Sequence, residues 1–416
     1  MSTYIINGGN RLEGEIKVQG SKNASLPIIA ATVLNGKYNV IKNCPNITDV
    51  ITMQKILNLL GCKVKYHDNI LEVDSSTFSN EEIEEELMKE MRSSVILMGA
   101  ILGRNKRVIL THPGGCEIGA RPIDLHLKGL QKLGINIIEK HGLIICEAVN
   151  LVGADVNLDF PSVGATENIM LAAVKADGVT VINNAAKEPE IEDLQNFLVK
   201  MGGKISGAGS GRIIIQGVPK LTGTRHSVIP DRIVTATYIC AVAATGGNAL
   251  LKKAEASHLG TLLSFLRESG CEINTYDDAI QVSCDSLKGG HTVRTMPFPG
   301  FATDAQAVCM AMMCKARGST VFIETIFESR FKQVGELLRM GAKITTEGRV
   351  AVTEGVKKLY GTTVEAGDLR GGASLVVAGL SAEGTTVIDN AEHIYRGYEN
   401  IEKNLSDLGA KITSEK

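Results

Sequence analysis

The sequence is poor in the side chains that usually anchor large cores. Its 416 residues include no Trp, and aromatic residues make up only 4%, whereas there are 44 glycines. This composition predicts many tight turns and close packing of small residues. A chain of this length also exceeds what one ordinary core accommodates, so we expect two or three domains.

Neither charge nor hydrophobicity points to a macromolecular partner. The formal net charge is −2, which excludes a global basic field for nucleic acid. The N-terminal segment lacks the apolar run of a signal peptide, and no stretch reaches the ~18 apolar residues of a spanning helix. We expect a cytoplasmic protein without nucleic-acid or membrane partners, in which locally gathered cations bind any anionic ligand.

The nine cysteines form no recognisable framework. There is no CxxC pair, no Cys/His spacing typical of zinc, and no HExxH among the eight histidines. An odd number of scattered thiols is typical of a reducing compartment. The sequence therefore predicts neither a disulfide scaffold nor a metal site.

A repeated segment is the main organisational feature. A glycine followed by a short β-like run recurs six times at intervals of roughly 70 residues, at Gly61, Gly134, Gly202, Gly270, Gly341 and Gly409. Amphipathic helical runs precede these glycines, which suit the left-handed position that ends a helix. The alternating segment after each glycine predicts a strand.

A second, almost wholly apolar helix is predicted further upstream in most repeats. These buried helices are expected at 24–34, 165–175, 232–245, 303–315 and 373–382. The pattern predicts an α/β fold of six repeated units, three in each of two domains. We expect residues 22–229 to form one domain and residues 1–21 with 230–416 the other, with ligands in the crevice between them.

The segment 111–126, THPGGCEIGARPIDLH, places several side chains that could react or bind a ligand in a glycine-rich turn. It brings Cys116 close in sequence to Arg121, with Asp124 and His126 following. One interpretation is a mobile loop that holds a reactive thiol beside an anion-binding arginine. The other is a surface turn with an incidental cysteine, and these residues alone do not separate the two.

Charged residues also interrupt the repeats at helix starts and turns. Lys22 and Asn23 directly precede the first buried helix, where backbone N–H groups favour anions, and Arg370 occupies the matching position in the sixth repeat. Arg330 and Arg396 lie in equivalent turns of the fifth and sixth repeats. Each could be a solvated surface group, but equivalent positions in repeats direct such cations to a common face. Asp304, at the start of another buried helix, could simply complement the helix dipole.

Taken together, these segments resemble the enolpyruvyl transferase family, and within it the members that use UDP-N-acetylglucosamine. The likeness extends over essentially the whole chain. The segments that carry it are GSKNASLPIIAA (20–31), MRSSVILMGA (91–100), PGGCEIGARPIDLH (113–126), FPSVGATENIML (160–171), AAKEPEIEDL (185–194), PDRIVTAT (230–237), FATDAQA (301–307), FESRF (327–331), DLRGGASL (368–375) and IYRGYE (394–399).

The resemblance implies a two-domain inside-out α/β barrel built from six βαβα-type units, with the active site in the cleft between the domains. It implies transfer of the enolpyruvyl group of phosphoenolpyruvate to the 3′-hydroxyl of UDP-N-acetylglucosamine, with release of phosphate, by addition and elimination. This reaction is the first committed step of peptidoglycan synthesis. The resemblance implies no metal and no organic cofactor.

The resemblance also assigns roles to individual residues. It makes Cys116 the acid that protonates phosphoenolpyruvate, the site of a covalent adduct and the target of fosfomycin, and Asp304 the base. A thiol with an ordinary pKa near 8.5 still carries a proton at neutral pH, which suits an acid. Lys22 and Arg396 are the further catalytic residues. The phosphoenolpyruvate ligands implied are Lys22, Asn23, Arg121, Arg330, Arg370 and Arg396. The UDP-N-acetylglucosamine ligands implied are Arg92, Arg121, Pro122, Ile123, Asp124, Leu125, Ser162, Val163, Asp304 and Ile326.

One departure from the family pattern and two alternatives bear on the function. Some relatives carry a lysine where this chain has Phe160, which removes one predicted phosphate contact. The shikimate-pathway enolpyruvyl transferases share the fold and the phosphoenolpyruvate chemistry, but they lack the PGGC loop and have Lys-Ser in place of Lys22-Asn23. A catalytically silent paralogue that binds the UDP-sugar is the second alternative, which the intact Cys116, Asp304 and cations disfavour.

Overall fold

The computed structural model of the protein describes residues 2–112 and 123–415. The internal contacts divide the chain into two units. We call residues 20–112 with 123–229 the N-unit, and residues 2–19 with 230–415 the C-unit. Each unit has its own core of buried apolar side chains.

The N-unit combines buried and amphipathic helices with short strands. Its α-helices are Lys22–Ala31, Thr48–Leu59, Glu85–Glu90, Leu97–Asn105, Asp124–Lys132, Val163–Ala173 and Pro189–Lys200, with 3₁₀ turns at Thr32–Asn35 and Arg92–Ile96. Its strands are Tyr38–Lys42, Lys63–His67, Ile70–Asp74, Arg107–Thr111, Asn136–Lys140, Leu143–Glu147, Asp155–Asn157, Val179–Asn183, Lys204–Ser206, Arg212–Gln216 and Arg225–Ser227.

The C-unit repeats this plan. Its α-helices are Arg232–Thr245, Gly260–Glu268, Thr303–Met313, Val334–Arg339, Leu369–Ser381, Glu392–Tyr395 and Ile401–Asp407, with a 3₁₀ turn at Ala256–Leu259. Its strands are Thr3–Asn7, Glu13–Lys17, Asn248–Lys252, Glu272–Thr275, Ala279–Ser283, His291–Arg294, Ser319–Ile323, Lys343–Glu347, Val350–Glu354, Thr363–Glu365, Thr385–Asp389 and Lys411–Glu415.

The described strands form one sheet for each repeat of the sequence, and each sheet is mixed except that of the second repeat, which is antiparallel. In the fifth repeat, for example, strand Ser319–Ile323 pairs parallel with His291–Arg294 and antiparallel with Val350–Glu354. Strand Lys343–Glu347 pairs antiparallel with Val350–Glu354 and is the edge strand of this sheet. Five of the sheets formed by the described residues have four strands, and the sheet of the second repeat has three.

The predicted buried helices form the interior of each unit. In the C-unit, helices Arg232–Thr245, Thr303–Met313 and Leu369–Ser381 contact one another, and each also contacts the sheet of its own repeat. In Leu369–Ser381 every residue from Arg370 onward is buried. Small side chains make this possible because Ala and Gly allow helix backbones to approach closely.

The marker glycines end helices as predicted. All six have a positive φ, from +85° at Gly134 to +96° at Gly202 and Gly270, a conformation that glycine adopts without steric cost. Element bounds shift by a few residues from those predicted, and the sixth buried helix begins at Leu369 rather than near 373. The second repeat also contains a buried helix, Leu97–Asn105, that the pattern did not predict.

The α/β class is therefore confirmed. The glycine-rich segment 207–212 forms a hairpin that joins antiparallel strands Lys204–Ser206 and Arg212–Gln216. Within the described ranges, no helix is both long and apolar enough to cross a membrane.

Candidate active site

Asp304 lies between two buried arginines of the C-unit. Arg330 Nη2 donates to Asp304 Oδ1 at 2.6 Å, and Arg370 Nη2 donates to Asp304 Oδ2 at 3.0 Å. The arginine side chains are 4% and 5% exposed, whereas the aspartate is 28% exposed. Asp304 thus contacts two arginines that lie 26 and 66 positions from it along the chain.

Local structure explains how these three side chains reach one another. Asp304 is in the first turn of helix Thr303–Met313, where the helix dipole favours a negative charge. Arg370 is in the first turn of helix Leu369–Ser381, which Asp368 caps by accepting from the backbone N–H groups of Arg370 and Gly371. Arg330 comes from the turn that follows strand Ser319–Ile323.

The cluster is electropositive, because two guanidinium groups share one carboxylate. Burial acts to lower the pKa of Arg370, but the charge of Asp304 and contact with Tyr398 outweigh it, so that this pKa is raised. Arg370 Nη1 donates to the Tyr398 hydroxyl at 3.4 Å, and its guanidinium carbon lies 5.8 Å from the centre of that ring. Fixed cations beside a helix N-terminus suit the binding of a doubly charged anion.

Arg330 has additional donor capacity. Its Nη2 also donates to the Thr303 carbonyl at 3.4 Å, and its guanidinium carbon lies 5.6 Å from the centre of the Phe327 ring. Its buried Nε makes no hydrogen bond to any part of the chain that the structure describes. A buried donor of this kind is costly unless a ligand satisfies it.

Ile326 and Arg396 occupy turns of the C-unit. Ile326 is half-buried and follows strand Ser319–Ile323. Arg396 is half-buried and lies between strand Thr385–Asp389 and helix Ile401–Asp407, which is the position that Arg330 takes in the preceding repeat. The repeat equivalence of the two arginines is thus confirmed.

Lys22 of the N-unit is a buried cation at a helix start. It is the first residue of helix Lys22–Ala31, whose Ser21 cap accepts from Ala24 N. Its Nζ lies 2.8 Å from Asp49 Oδ2, and both side chains are at most 10% exposed. A buried ammonium group requires such a partner. Asn23 is half-buried beside it.

The described residues of the N-unit that are predicted to bind the nucleotide lie at the starts of two helices that contact each other and of one 3₁₀ turn. Helix Asp124–Lys132 follows the buried Ile123 and presents an exposed Asp124 and a half-buried Leu125. Helix Val163–Ala173 contacts it and is capped by Ser162, which accepts from Ala165 N at 3.4 Å. Arg92, half-buried, begins the 3₁₀ turn Arg92–Ile96.

The fully buried amide of Asn168 ties these elements together. Its Nδ2 lies 2.7 Å from His126 Nδ1 and donates to the Val95 carbonyl at 3.0 Å, while its Oδ1 accepts from Gly99 N at 2.7 Å. One side chain therefore fixes the helix after Ile123, the helix after Ser162 and the turn after Arg92. Phe160, where some relatives carry lysine, is 42% exposed nearby in sequence.

Cys116, Arg121 and Pro122 lie outside the described residues. The eight cysteines within them are all free and buried. Burial raises the pKa of Cys62, Cys146 and Cys314 to about 12. Thiols of this kind are poor nucleophiles and poor acids at neutral pH.

Sequence reasoning missed the residues that hold the predicted site residues in place. Asp49 pairs with Lys22, Tyr398 contacts Arg370, and Asn168 orients His126. These partners come from distant segments, and no local spacing marks them. A buried charge implies that a partner exists, but the sequence does not say which residue it is. The part of the chain that the structure describes contains no cluster of three or more His, Cys, Asp or Glu suited to a metal ion.

Comparison with known proteins adds independent information. Residues 6–405 match the EPSP synthase (3-phosphoshikimate 1-carboxyvinyltransferase) family. UDP-N-acetylglucosamine 1-carboxyvinyltransferase 2 of Caldanaerobacter subterraneus subsp. tengcongensis is 54% identical over 413 residues, 99% of each chain. UDP-N-acetylglucosamine 1-carboxyvinyltransferase of Trichlorobacter lovleyi is 47% identical over 415 residues, again 99% of each chain.

Solved structures agree on the fold. The enolpyruvyl transferase NikO of Streptomyces tendae superposes with a TM-score of 0.90 at 24% identity, covering 99% of this chain and 98% of that one. EPSP synthase of Acinetobacter baumannii gives a TM-score of 0.78 at 19% identity, with complete coverage of both chains. At such low identities the likeness establishes the fold and leaves the substrate open.

Proposed function

The chain belongs to the EPSP synthase (3-phosphoshikimate 1-carboxyvinyltransferase) family, and within it to the UDP-N-acetylglucosamine 1-carboxyvinyltransferases; from this premise we propose how its residues serve that activity. The enzyme transfers the enolpyruvyl group of phosphoenolpyruvate to UDP-N-acetylglucosamine and releases phosphate, the first committed step of peptidoglycan synthesis. The observation that carries the assignment of residues is Asp304 held between Arg330 and Arg370.

The reaction requires proton transfers in both its addition step and its elimination step. In the addition step the methylene carbon of phosphoenolpyruvate gains a proton, and the 3′-hydroxyl oxygen of the sugar bonds to the adjacent carbon as that hydroxyl loses its proton. In the elimination step the new methyl group returns a proton and the C–O bond to phosphate breaks, so that an enol ether remains. Positioned acids and bases contribute about 10²–10⁴-fold to such steps.

Asp304 is the base that accepts the proton of the sugar hydroxyl. Each of its oxygens accepts from an arginine, and a carboxylate can accept several hydrogen bonds at once. Arg330 and Arg370 bind the anionic groups of phosphoenolpyruvate. When these groups arrive they compete with Asp304 for the arginine donors, which leaves the carboxylate more basic at the moment of addition.

The remaining predicted ligands complete the two binding sites. Lys22, Asn23, Arg121 and Arg396 add to the phosphoenolpyruvate site, where fixed cations also stabilise charge in the transition state. Cys116 is the acid that protonates the methylene carbon and the thiol that forms the covalent adduct.

Residues of both units bind UDP-N-acetylglucosamine. The described members of the N-unit lie at helix or turn starts, which offer backbone N–H groups to a diphosphate. The ligands are Arg92, Ile123, Asp124, Leu125, Ser162 and Val163 of the N-unit, Asp304 and Ile326 of the C-unit, and Arg121 and Pro122, which lie outside the described residues. We further propose that the two units form the inside-out α/β barrel, and that the enzyme acts in the cytoplasm.

A comparison of acceptors tests the proposal. The purified protein is incubated with phosphoenolpyruvate and either UDP-N-acetylglucosamine or shikimate 3-phosphate, and phosphate release is followed. We expect turnover with the UDP-sugar. Release with shikimate 3-phosphate alone would instead favour the enzyme after which the matched family is named. Binding of the UDP-sugar without release from either mixture would indicate a silent paralogue.

A further inference from the structure

Glu324 is a buried carboxylate that the catalytic scheme does not use. It follows strand Ser319–Ile323 directly and is 1% exposed. Its Oε1 accepts from Thr295 Oγ1 at 2.9 Å, from Ile326 N at 2.8 Å and from Phe327 N at 3.1 Å. Its Oε2 accepts from Thr303 Oγ1 at 2.9 Å. Two hydroxyls and two backbone amides thus satisfy one buried charge.

Three of these four donors, those of Thr303, Ile326 and Phe327, belong to the two segments that carry the Asp304–Arg330 pair. Thr303 immediately precedes Asp304 at the start of helix Thr303–Met313. Ile326 and Phe327 begin the turn that leads to Arg330, and the Phe327 ring packs against the Arg330 guanidinium. Glu324 therefore fixes the base and its arginine partner relative to each other, although its carboxylate contacts neither of them in the interactions described above.

The network extends one residue further. Thr295, fully buried, accepts from Thr325 N at 2.9 Å through the same hydroxyl that donates to Glu324. Each backbone N–H of residues 325–327 therefore donates a hydrogen bond to the side chain of Thr295 or Glu324, which fixes the turn. Hydrogen bonds to an ionised acceptor are stronger than neutral ones, and those in a buried network reinforce one another.

We propose that Glu324 is a positioning residue for the transferase reaction, which sets the geometry of Asp304, Arg330 and Ile326 by clamping the turn 325–330 onto the start of helix Thr303–Met313. This inference rests on the proposed function, in which Asp304 is the base and Ile326 contacts the nucleotide. Because a displacement of about 1 Å in a catalytic group costs about 10²-fold in rate, loosening this clamp should impair chemistry while the fold persists.

Two substitutions separate the loss of the carboxylate charge from the loss of the hydrogen-bond acceptors. Glu324→Gln retains an oxygen that accepts from the two backbone amides. It places an NH₂ group opposite Thr303 Oγ1, and the threonine hydroxyl can accept a hydrogen bond from that group instead of donating one. Glu324→Ala removes every acceptor and leaves four donors without their partner. We expect Glu324→Gln to stay within about tenfold of wild-type kcat, and Glu324→Ala to lose about 100-fold in kcat with a raised KM for UDP-N-acetylglucosamine.

Asn39→Ala is the matched control. Asn39 is also fully buried and joins four hydrogen bonds, with Asn35, Lys37 and Thr224 of the N-unit. None of these residues is proposed to bind substrate. We expect Asn39→Ala to lower the thermal midpoint at least as much as Glu324→Ala does, while leaving kcat and KM close to wild type.

Amide hydrogen exchange gives a readout that does not depend on turnover. In Glu324→Ala the amides of residues 325–330 should exchange at least about tenfold faster than in wild type, whereas those of Asn39→Ala should not change. Unchanged exchange together with unchanged kinetics in Glu324→Ala would overturn the positioning role. Faster exchange in a protein whose wild type fails to turn over phosphoenolpyruvate and UDP-N-acetylglucosamine would support the clamp but reject the proposed function.

Discussion

At the scale of single residues, Asp304 combines two demands that conflict. As the partner of Arg330 and Arg370 it compensates two buried cations, which favours a carboxylate that stays ionised. As the proposed base it must accept a proton during catalysis. In our proposal, substrate anions that compete for the arginine donors resolve this conflict, because they lower the positive potential at Asp304 when it accepts the proton.

Asp304→Asn tests the base directly. The amide keeps the shape of the side chain but has no site for the proton, so we expect kcat to fall about 10²–10⁴-fold. Asp285→Asn, at a C-unit side chain that is 89% exposed, should retain wild-type kcat. Steady-state phosphate release measures both variants. A kcat for Asp304→Asn near that of wild type would show that another group takes the proton.

Glu167 provides a test through pH. It lies on the buried helix Val163–Ala173, and burial, followed by the negative charges of Glu190 and Glu188, raises its pKa well above the ordinary value of 4.5. The folded state therefore holds this proton at pH values where the unfolded state has released it. Its contribution to stability is complete below about pH 4.5 and is lost as pH rises towards the raised folded pKa.

Glu167→Gln removes this titration because the amide mimics the protonated acid. Relative to wild type, its free energy of unfolding should increase with pH by up to about 1.4 kcal/mol per unit. Urea unfolding between about pH 5 and pH 8 measures the difference. Glu86→Gln, at an exposed position of helix Glu85–Glu90, should follow the wild type, and parallel curves for Glu167→Gln would contradict the assigned protonation.

At the scale of elements, close contact between helix backbones depends on glycine. A Cβ atom at Gly99, in helix Leu97–Asn105, would lie 2.2 Å from the backbone oxygen of Asn168 in helix Val163–Ala173. The two helices would have to separate, which would also disturb the hydrogen bond from Gly99 N to Asn168 Oδ1. This contact links the turn after Arg92 to the helix after Ser162.

Gly99→Ala should accordingly destabilise the protein by about 1–3 kcal/mol. The matched control is Gly335→Ala, in the exposed part of helix Val334–Arg339, where a Cβ would meet nothing within 4 Å. That change should raise stability by up to about 1 kcal/mol through helix propensity. Denaturant titration compares the two, and a neutral Gly99→Ala would mean that the helices adjust without cost.

The same elements show what the sequence could predict. Periodicity and the six glycines identified helix ends correctly, because these signals are local and steric. Helix Leu97–Asn105 was not predicted because it contains Gly99 and Gly103, which lower helix propensity. These glycines are explained only by the close packing of the neighbouring helix, which the sequence does not reveal. The cations of the site were recognisable from repeat positions. The partners of these cations, Asp49 and Tyr398, were not recognisable, and neither was Glu324, which holds the turn before Arg330, because tertiary packing alone selects them.

At the scale of the whole molecule, six similar α/β repeats supply a scaffold, and the chemistry resides where the repeats differ. The fifth and sixth repeats carry Arg330, Arg370 and Arg396, while the first carries Lys22. The structural repeat places these side chains at helix starts and the turns after strands. Solved structures that share only 19% to 24% identity with this chain have the same fold.

The most direct test of the account is to identify the product. The protein is incubated with phosphoenolpyruvate and UDP-N-acetylglucosamine, the nucleotide fraction is analysed by mass spectrometry and NMR, and phosphate is measured in parallel, with Cys116→Ala as the inactive control. We predict an enolpyruvyl ether on the 3′-oxygen of the sugar, formed in equal amount with phosphate. Phosphate released without any covalent change to the UDP-sugar would contradict the account.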